Sequence, residues 1–205
     1  QAHYTITFQL PKLAFLLPEN GSVVGEWQVV NIGLSKEFIA EAESKHFLIE
    51  KSDVKSMLHR RSKFSHKGNF GHALLIAGSR GKMGAALLSA RAAMRSGLGL
   101  LTMHVPSCGY EIIQASVPEA MASVDTSDTF FSVVPKIENF NSIGIGPGIG
   151  QDTQTVKALV ALLDTAEKPI VLDADALNII GANSELIPRI PKGSILTPHP
   201  KEFER

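Results

Sequence analysis

The sequence predicts an α/β fold whose sheet is largely parallel and covered by helices on both faces. From Gly71 onward, short apolar runs alternate with segments of helical periodicity, and glycines or carboxylates follow where several of the apolar runs end. The chain has 205 residues and 44% hydrophobic content, which is enough to bury a core. Such alternation is typical of βαβ units, which place successive strands parallel in one sheet.

The individual elements follow from local signals. The run HALLIA ends in Gly78 and Ser79, as a central strand does before a turn, and small and apolar residues then recur at helical spacing. A later helical segment carries Val156, Leu159 and Leu163 on one face. The predicted strands are His72–Ala77, Leu100–Val105, Asn141–Gly146, Pro169–Leu172 and Ser194–Leu196, and the predicted helices are Met83–Ser96 and Thr153–Asp164.

The beginning of the chain has a different character. Tyr4, Ile6 and Phe8 alternate with threonines, and a second β-type run at Trp27 follows a turn-forming segment, so about two strands are expected. Two strands are too few to be stable alone. Residues 35–63 are polar and helical in character. The predicted organisation is a remnant of a preceding domain at 1–33, a linker at 34–50 and the main domain at 51–205.

Composition disfavours several classes of function. Twenty basic and twenty acidic residues balance, so no overall field attracts nucleic acid or an anionic membrane. The single cysteine, Cys108, leaves no disulfide framework or cysteine-rich zinc site, and no transition-metal site is expected. No signal peptide or membrane span is recognised. We expect a cytoplasmic protein without nucleic-acid or membrane partners.

Two glycine-rich loops follow predicted strands, where open α/β sheets bind ligands. In the first, which runs from Gly78 to Ala86, glycines and a helix start could favour an anion, although the P-loop spacing is absent and close helix packing is the alternative. The second, Gly144 to Gly150, carries four glycines in seven residues. It is either a ligand wall or a tight turn. Within it, Gly148 has either a positive φ or a close approach to substrate.

Two further strand ends carry polar side chains. Asp173 and Asp175 follow one predicted strand, where a carboxylate pair could hold Mg²⁺ or orient a hydroxyl. The alternative is that one of the pair, with Asp175 favoured, caps the next helix. His199 lies between Pro198 and Pro200, which fix the backbone around one imidazole. A functional and a structural role for this histidine both stay open.

The order and wording of these loops resemble one family. The segments that carry the resemblance are HKGNFGHALLIAGSRGKMGAALLSARAAMRSGLGLLTMHVP, PEAM, IGIGPGIG, VLDADALN and ILTPHPKEFER, spread over residues 66–205. They resemble the ADP/ATP-dependent NAD(P)H-hydrate dehydratases, which have a ribokinase-like fold. The resemblance implies that the hydrates NADHX and NADPHX are returned to NADH and NADPH, with ADP (bacterial members) or ATP (eukaryotic members) as phosphate donor and with Mg²⁺. It also implies a homo-oligomer, with a tetramer expected.

The resemblance assigns roles to individual residues. Ala85, Gly148 and His199 match hydrate-contacting positions, and Gly84 and Gly146 are added as neighbours in the same motifs. The candidates for the nucleotide phosphates or Mg²⁺ are Asp173, Asp175 and Lys67. The family's catalytic aspartate is expected beyond Arg205, so no catalytic residue is assigned in this chain.

A second resemblance concerns residues 1–33. The segments TITFQLPKLAF, PEN and VGEWQVVNIGL resemble the end of an NAD(P)H-hydrate epimerase domain, which is often fused ahead of the dehydratase. The main functional alternative is a ribokinase-like kinase of a small alcohol such as hydroxymethylpyrimidine or hydroxyethylthiazole. The TPHP and GPGIG loops favour the dehydratase.

Overall fold

The chain forms two compact units, Gln1–Arg61 and Ser62–Arg205. A computed structural model describes residues 1–58 and 60–204. Within those residues, no helix combines the length and the hydropathy that are needed to cross a bilayer.

The first unit contains a two-stranded sheet and short helices. Its elements are β1 (Tyr4–Phe8), α1 (Gly21–Val24), β2 (Glu26–Val30), α2 (Lys36–Glu41) and α3 (Lys51–Met57). The two strands are parallel, with Tyr4 opposite Glu26 and Phe8 opposite Val30. Among the described residues of this unit only Thr7 is buried, so the sheet has almost no core of its own.

The second unit contains a six-stranded sheet in which every pair of neighbours is parallel. The spatial order of its strands is β5-β4-β3-β6-β7-β8. The prediction of a largely parallel sheet is confirmed. The elements are β3 (His72–Ile76), α4 (Met83–Arg95), β4 (Leu100–Val105), α5 (Tyr110–Ser116), β5 (Met121–Val124), β6 (Ser142–Ile145), α6 (Thr153–Thr165), β7 (Val171–Leu172), α7 (Asp175–Ala182), β8 (Ile195–Leu196) and α8 (Pro200–Phe203).

Alternation along the central strand builds a core on each face of this sheet. In β3, Leu74 and Ile76 join the buried cluster formed with α6 and α7, whereas Ala73 joins the cluster formed with α4 and α5, as does Ala77 directly after the strand. Successive side chains of a strand point to opposite faces, so a strand buried on both sides must be apolar throughout. This requirement explains why the β3 sequence reads as a continuous apolar run.

The main elements lie close to their predicted bounds, but the edge strand β5 was not predicted. β4 has its predicted bounds, and α4 ends one residue earlier than expected. The helix α5 and the strand β5 had no counterpart in the sequence prediction. β5 is a four-residue edge strand with no fully buried position, so it lacks the apolar run that marks a central strand.

The strand order creates a switch point between β3 and β6. From β3 the chain proceeds outward through β4 and β5, then returns to the other side of β3 and proceeds outward through β6, β7 and β8. The connections after β3 and β6 therefore lead away from each other, which leaves a crevice at the carboxyl ends of these two strands. Ligands of open α/β sheets bind in such crevices.

Candidate functional site

The two glycine-rich loops meet at this switch point. The amide of Gly78 donates to the carbonyl of Pro147 at 2.8 Å, and the hydroxyl of Ser79 donates to the carbonyl of Gly148 at 2.7 Å. Ser79 is buried, so its hydroxyl requires this partner. The loop after β3 and the loop after β6 thus form one connected wall of the crevice.

Ala85 and Gly148, which the sequence placed at the hydrate, are neighbours in this wall. A Cβ added to Gly148 would lie 3.0 Å from the Ala85 Cβ and 3.0 Å from the Lys82 carbonyl oxygen. The φ of Gly148 is +69°, a conformation that residues with a side chain rarely adopt. Of the two alternatives left open for Gly148, the positive φ is therefore the one observed, and a ligand contact stays a prediction.

The neighbouring candidates, Gly84 and Gly146, differ in what surrounds them. Gly146 has a φ of +136°, and a Cβ there would collide with the backbone carbonyl of Asp173, so glycine is required for the packing of β6 beside β7. Gly84 is exposed in the first turn of α4, and apart from its own helix backbone and its chain neighbours no described atom lies within 4 Å of the position that its Cβ would occupy. Of these two glycines, Gly84 is therefore the one beside open space.

Asp175 does not cap a helix with its side chain, so the capping prediction is wrong. Asp175 is the first residue of α7, and the N-cap position before it is occupied by Ala174, so no side chain caps this helix. The Asp175 carboxylate instead accepts from the amide of Gly150 at 2.8 Å and from Nζ of Lys82 at 3.3 Å. A sharp backbone turn at Ala174, with φ +48°, separates the two aspartates. Such a conformation costs about 1–3 kcal/mol in a residue other than glycine.

Asp173 makes fewer contacts than Asp175, although each leaves one carboxylate oxygen open. The Oδ1 of Asp173 accepts from the Thr197 hydroxyl at 2.8 Å, and its Oδ2 accepts no hydrogen bond from the described residues. Both contacts of Asp175 go to its Oδ2, one of them an ion pair with Lys82. Mg²⁺ in nucleotide sites is commonly held by one or two carboxylates together with phosphates and water. Asp173 fits that pattern through its open oxygen. Among the described residues no group of three or more His, Cys, Asp or Glu side chains is arranged to hold a metal ion alone.

His199 lies on the surface and does not fill a core. Its side chain is 60% exposed, its Nε2 lies 3.2 Å from Oε1 of Glu202, and its amide donates to Oε2 of the same residue at 3.0 Å. It follows β8 and caps the short helix α8. It is thus at the carboxyl edge of the sheet with its imidazole accessible.

Lys67 lies away from the other candidates. It belongs to a short 3₁₀ helix that precedes β3, and its carbonyl oxygen packs against Gly99, immediately before β4. Both positions mark the amino edge of the sheet, opposite to the switch-point loops. The structure therefore does not bring Lys67 together with Asp173 and Asp175.

A buried polar cluster was missed by the sequence analysis. His104 at the end of β4 and Asp125 just after β5 pair through Nε2 and Oδ2 at 3.1 Å, and both are almost fully buried. Burial lowers the pKa of His104, and the hydrogen bond and charge of Asp125 offset this only in part. Nδ1 of the same ring lies 3.0 Å from the Ser123 hydroxyl, which donates when the imidazole is neutral and protonated at Nε2.

The comparisons with known proteins agree with this arrangement. A model of the family described as NAD(P)H-hydrate dehydratase matches residues 73–205, which include both glycine-rich loops and both aspartates. The chain belongs to the NAD(P)H-hydrate dehydratase family. A bifunctional NAD(P)H-hydrate repair enzyme of Moorella thermoacetica is 33% identical over 100% of this chain and 40% of its own length. The ADP-dependent (S)-NAD(P)H-hydrate dehydratase of Staphylococcus aureus is 38% identical over 71% of this chain and 52% of its own length.

Solved structures confirm the ribokinase-like fold of this family member. The ADP/ATP-dependent NAD(P)H-hydrate dehydratase of Bacillus subtilis, co-crystallised with ATP and Mg²⁺, superposes with a TM-score of 0.62 at 36% identity and covers 76% of this chain and 54% of that one. A ribokinase-like superfamily protein of Enterococcus faecalis superposes with a TM-score of 0.67 at 25% identity, over 80% of this chain and 58% of that one. The chain thus spans about half the length of the dehydratases that it matches.

The buried imidazole predicts how stability depends on pH. The pKa of His104 in the folded state lies below its usual 6.5, so the unfolded state takes up a proton first as the pH falls. The free energy of unfolding should therefore be insensitive to His104 above about pH 6.5 and should decrease below it. His104→Gln should flatten part of this decrease when urea unfolding is followed from pH 7 to pH 5. An unchanged pH dependence would contradict the prediction, and His66→Gln, an exposed histidine of the same unit, is the control.

Proposed function

We propose that the complete protein dehydrates NADHX and NADPHX to NADH and NADPH with ADP or ATP as co-substrate. The observation that carries the proposal is the switch-point crevice, in which the family's motifs meet and Ala85 packs beside Gly148. The terminal phosphate of the nucleotide is transferred to the ring hydroxyl of the hydrate. Loss of that phosphate together with a ring proton then restores the double bond of the reduced nicotinamide.

The described residues supply the binding wall for the hydrate. Gly84 leaves space at the start of α4, and the free amides of a helix's first turn favour a negatively charged group. His199, accessible at the same edge of the sheet, offers a hydrogen bond to the hydrate. We infer that these groups hold and orient the substrate.

Asp173 is the residue proposed to face the nucleotide phosphates. Its open Oδ2 and its position between the loops after β6 and β8 support this role. Mg²⁺ bound there would neutralise charge on the phosphates. Asp175 contributes differently, because its hydrogen bond from Gly150 and its ion pair with Lys82 hold three loops of the crevice together.

The first unit is proposed to be the end of an epimerase-like domain. The bifunctional Moorella enzyme matches the whole chain, whereas the Staphylococcus dehydratase matches 71% of it and the family model begins at residue 73. The first unit is thus included in matches to bifunctional enzymes, and its sheet has almost no core of its own. The domain bounds 1–33, 34–50 and 51–205, the cytoplasmic location and the tetramer stay predictions.

The activity can be measured directly. The complete protein, given NADHX with Mg²⁺ and ADP or ATP, should regenerate the near-ultraviolet absorbance of NADH and release one phosphate for each hydrate consumed. Omission of the nucleotide should abolish the recovery. The kinase alternative would be indicated by phosphorylation of hydroxymethylpyrimidine or hydroxyethylthiazole without any recovery of NADH.

Gly84→Ala tests the open space in the wall. The added Cβ meets no atom, and alanine stabilises a helix by about 0.5–1 kcal/mol relative to glycine, so the melting temperature should stay or rise. If substrate occupies the space, the Kd for NADHX should increase while the Kd for nucleotide stays constant. Gly21→Ala, a second helical glycine with open surroundings, is the control. Unchanged hydrate affinity would remove Gly84 from the site.

His199→Ala tests the proposed hydrogen bond to the hydrate. Because His199 is exposed, its loss should change global stability by no more than about 0.5 kcal/mol. Loss of a hydrogen bond to substrate should lower kcat/KM by about tenfold. His66→Ala is a matched control, since His66 also caps a short helix but lies before β3 at the other edge of the sheet. Equal kcat/KM values for the two variants would contradict the assignment.

A further inference from the structure

Residues 126–133, here called the hub segment, follow β5 and are shaped by one buried carboxylate. Asp125 accepts hydrogen bonds from the amides of Ser127, Ser132 and Val133 at 2.8, 2.8 and 3.1 Å, and from the hydroxyl of Ser132. His104 completes its surroundings. Burial opposes ionisation, but the bonds from Ser132, Ser127 and Val133 together hold the pKa of Asp125 below its usual value. An ionised, acceptor-only group therefore fixes the path of the segment.

The hub segment in turn holds the loop after β3. The carbonyl of Thr129 accepts from the amide of Arg80 at 2.7 Å, and Asp128 forms an ion pair with the Arg80 guanidinium. Asp128 Oδ1 also accepts from the hydroxyl of Ser107, in the loop after β4, at 2.7 Å. Arg80 directly follows Ser79, whose hydroxyl bonds to Gly148. A continuous chain of hydrogen bonds and backbone thus leads from Asp125 to the crevice wall.

The formation of a stable core does not require a buried carboxylate at position 125. An apolar residue of similar size would fill the space at lower desolvation cost, whereas a buried carboxylate is stable only if its oxygens are satisfied. Here most of the donors come from the hub segment, so the segment can adopt few other conformations while they remain bonded. The charge therefore specifies one position of the loop, which hydrophobic packing alone would specify less sharply.

We propose that Asp125 is a positioning residue for hydrate binding, which acts through the hub segment and Arg80 on the wall formed by Ser79 and Gly148. This inference rests on the proposed function, because the ligand of the wall is taken to be the hydrate. Asp125 does not touch the substrate. Displacement of a binding wall by about 1 Å can cost about a hundredfold in rate, so a fixed loop matters for affinity and turnover.

The experiment compares Asp125→Asn with variants that separate its roles. In Asp125→Asn an NH2 group replaces one carboxylate oxygen, and this group cannot accept hydrogen bonds from the donors of the hub segment. The hub segment should therefore loosen. In the complete protein the KM for NADHX should rise about tenfold or more, with the KM for nucleotide unchanged. Leu163→Ala, in the core near the end of α6 away from the crevice, should lower stability and leave the KM for NADHX unchanged.

A second variant keeps the proposal testable if Asp125→Asn folds poorly. Asp128→Asn removes the exposed ion pair with Arg80, so the melting temperature should change little while the KM for NADHX rises. The two changes should be less than additive in the double variant, because they act along one chain of contacts. Hydrate KM values that match the wild type in both single variants would overturn the proposal.

Amide hydrogen exchange gives a readout that needs no ligand. Asp125→Asn should accelerate exchange at residues 78–82, whereas Leu163→Ala should not do so selectively. A wild-type protein without any turnover of NADHX would contradict the proposed function, and the exchange result would then decide the positioning role by itself. Unchanged exchange at residues 78–82 in Asp125→Asn would overturn that role.

Discussion

The site depends on the direct backbone contact between the loops that follow β3 and β6. The Gly78 amide and the Pro147 carbonyl bond at 2.8 Å across the switch point, where the two connections turn away from each other. Next to this contact, Gly148 has a positive φ and lies against the Lys82 carbonyl and the Ala85 methyl group, so a side chain there would be strained and crowded. The crevice is the space that these two loops leave open at the edge of the sheet.

Carboxylates hold the loops around this contact. Asp175 ties the start of α7 to Gly150 and Lys82, Asp128 ties the hub segment to Arg80, and Asp125 fixes the segment itself. A carboxylate can accept several hydrogen bonds at once, so one residue can join segments that are distant in sequence. The acidic residues near the crevice thus serve mainly to position backbone, whereas Asp173 makes a single hydrogen bond, to the Thr197 hydroxyl, and keeps an open oxygen for a ligand.

The sequence predicted the central sheet well because its strands are buried on both faces. The bounds of β4 and the start of α4 were correct, whereas the exposed edge strand β5 and helix α5 gave no comparable signal. Missing β5 also hid the pair His104 and Asp125, whose contact arises only when β4 and β5 lie side by side. The capping role of Asp175 was wrong because a positive φ at Ala174, which alanine rarely adopts, directs the carboxylate to another loop.

The glycines of the two loops after β3 and β6 show why sequence patterns alone could not separate a structural role from a functional one. Gly146 and Gly148 are required by backbone geometry whether or not a ligand binds, so their presence is explained before any substrate is considered. Gly84 has no such structural requirement, since its φ is not positive, its surroundings are open and alanine would suit the helix better. A residue that is unfavourable for the fold yet lies in the candidate wall is the stronger indicator of a ligand. Gly84 is therefore better evidence for a ligand site than Gly148, whose presence is explained by the backbone.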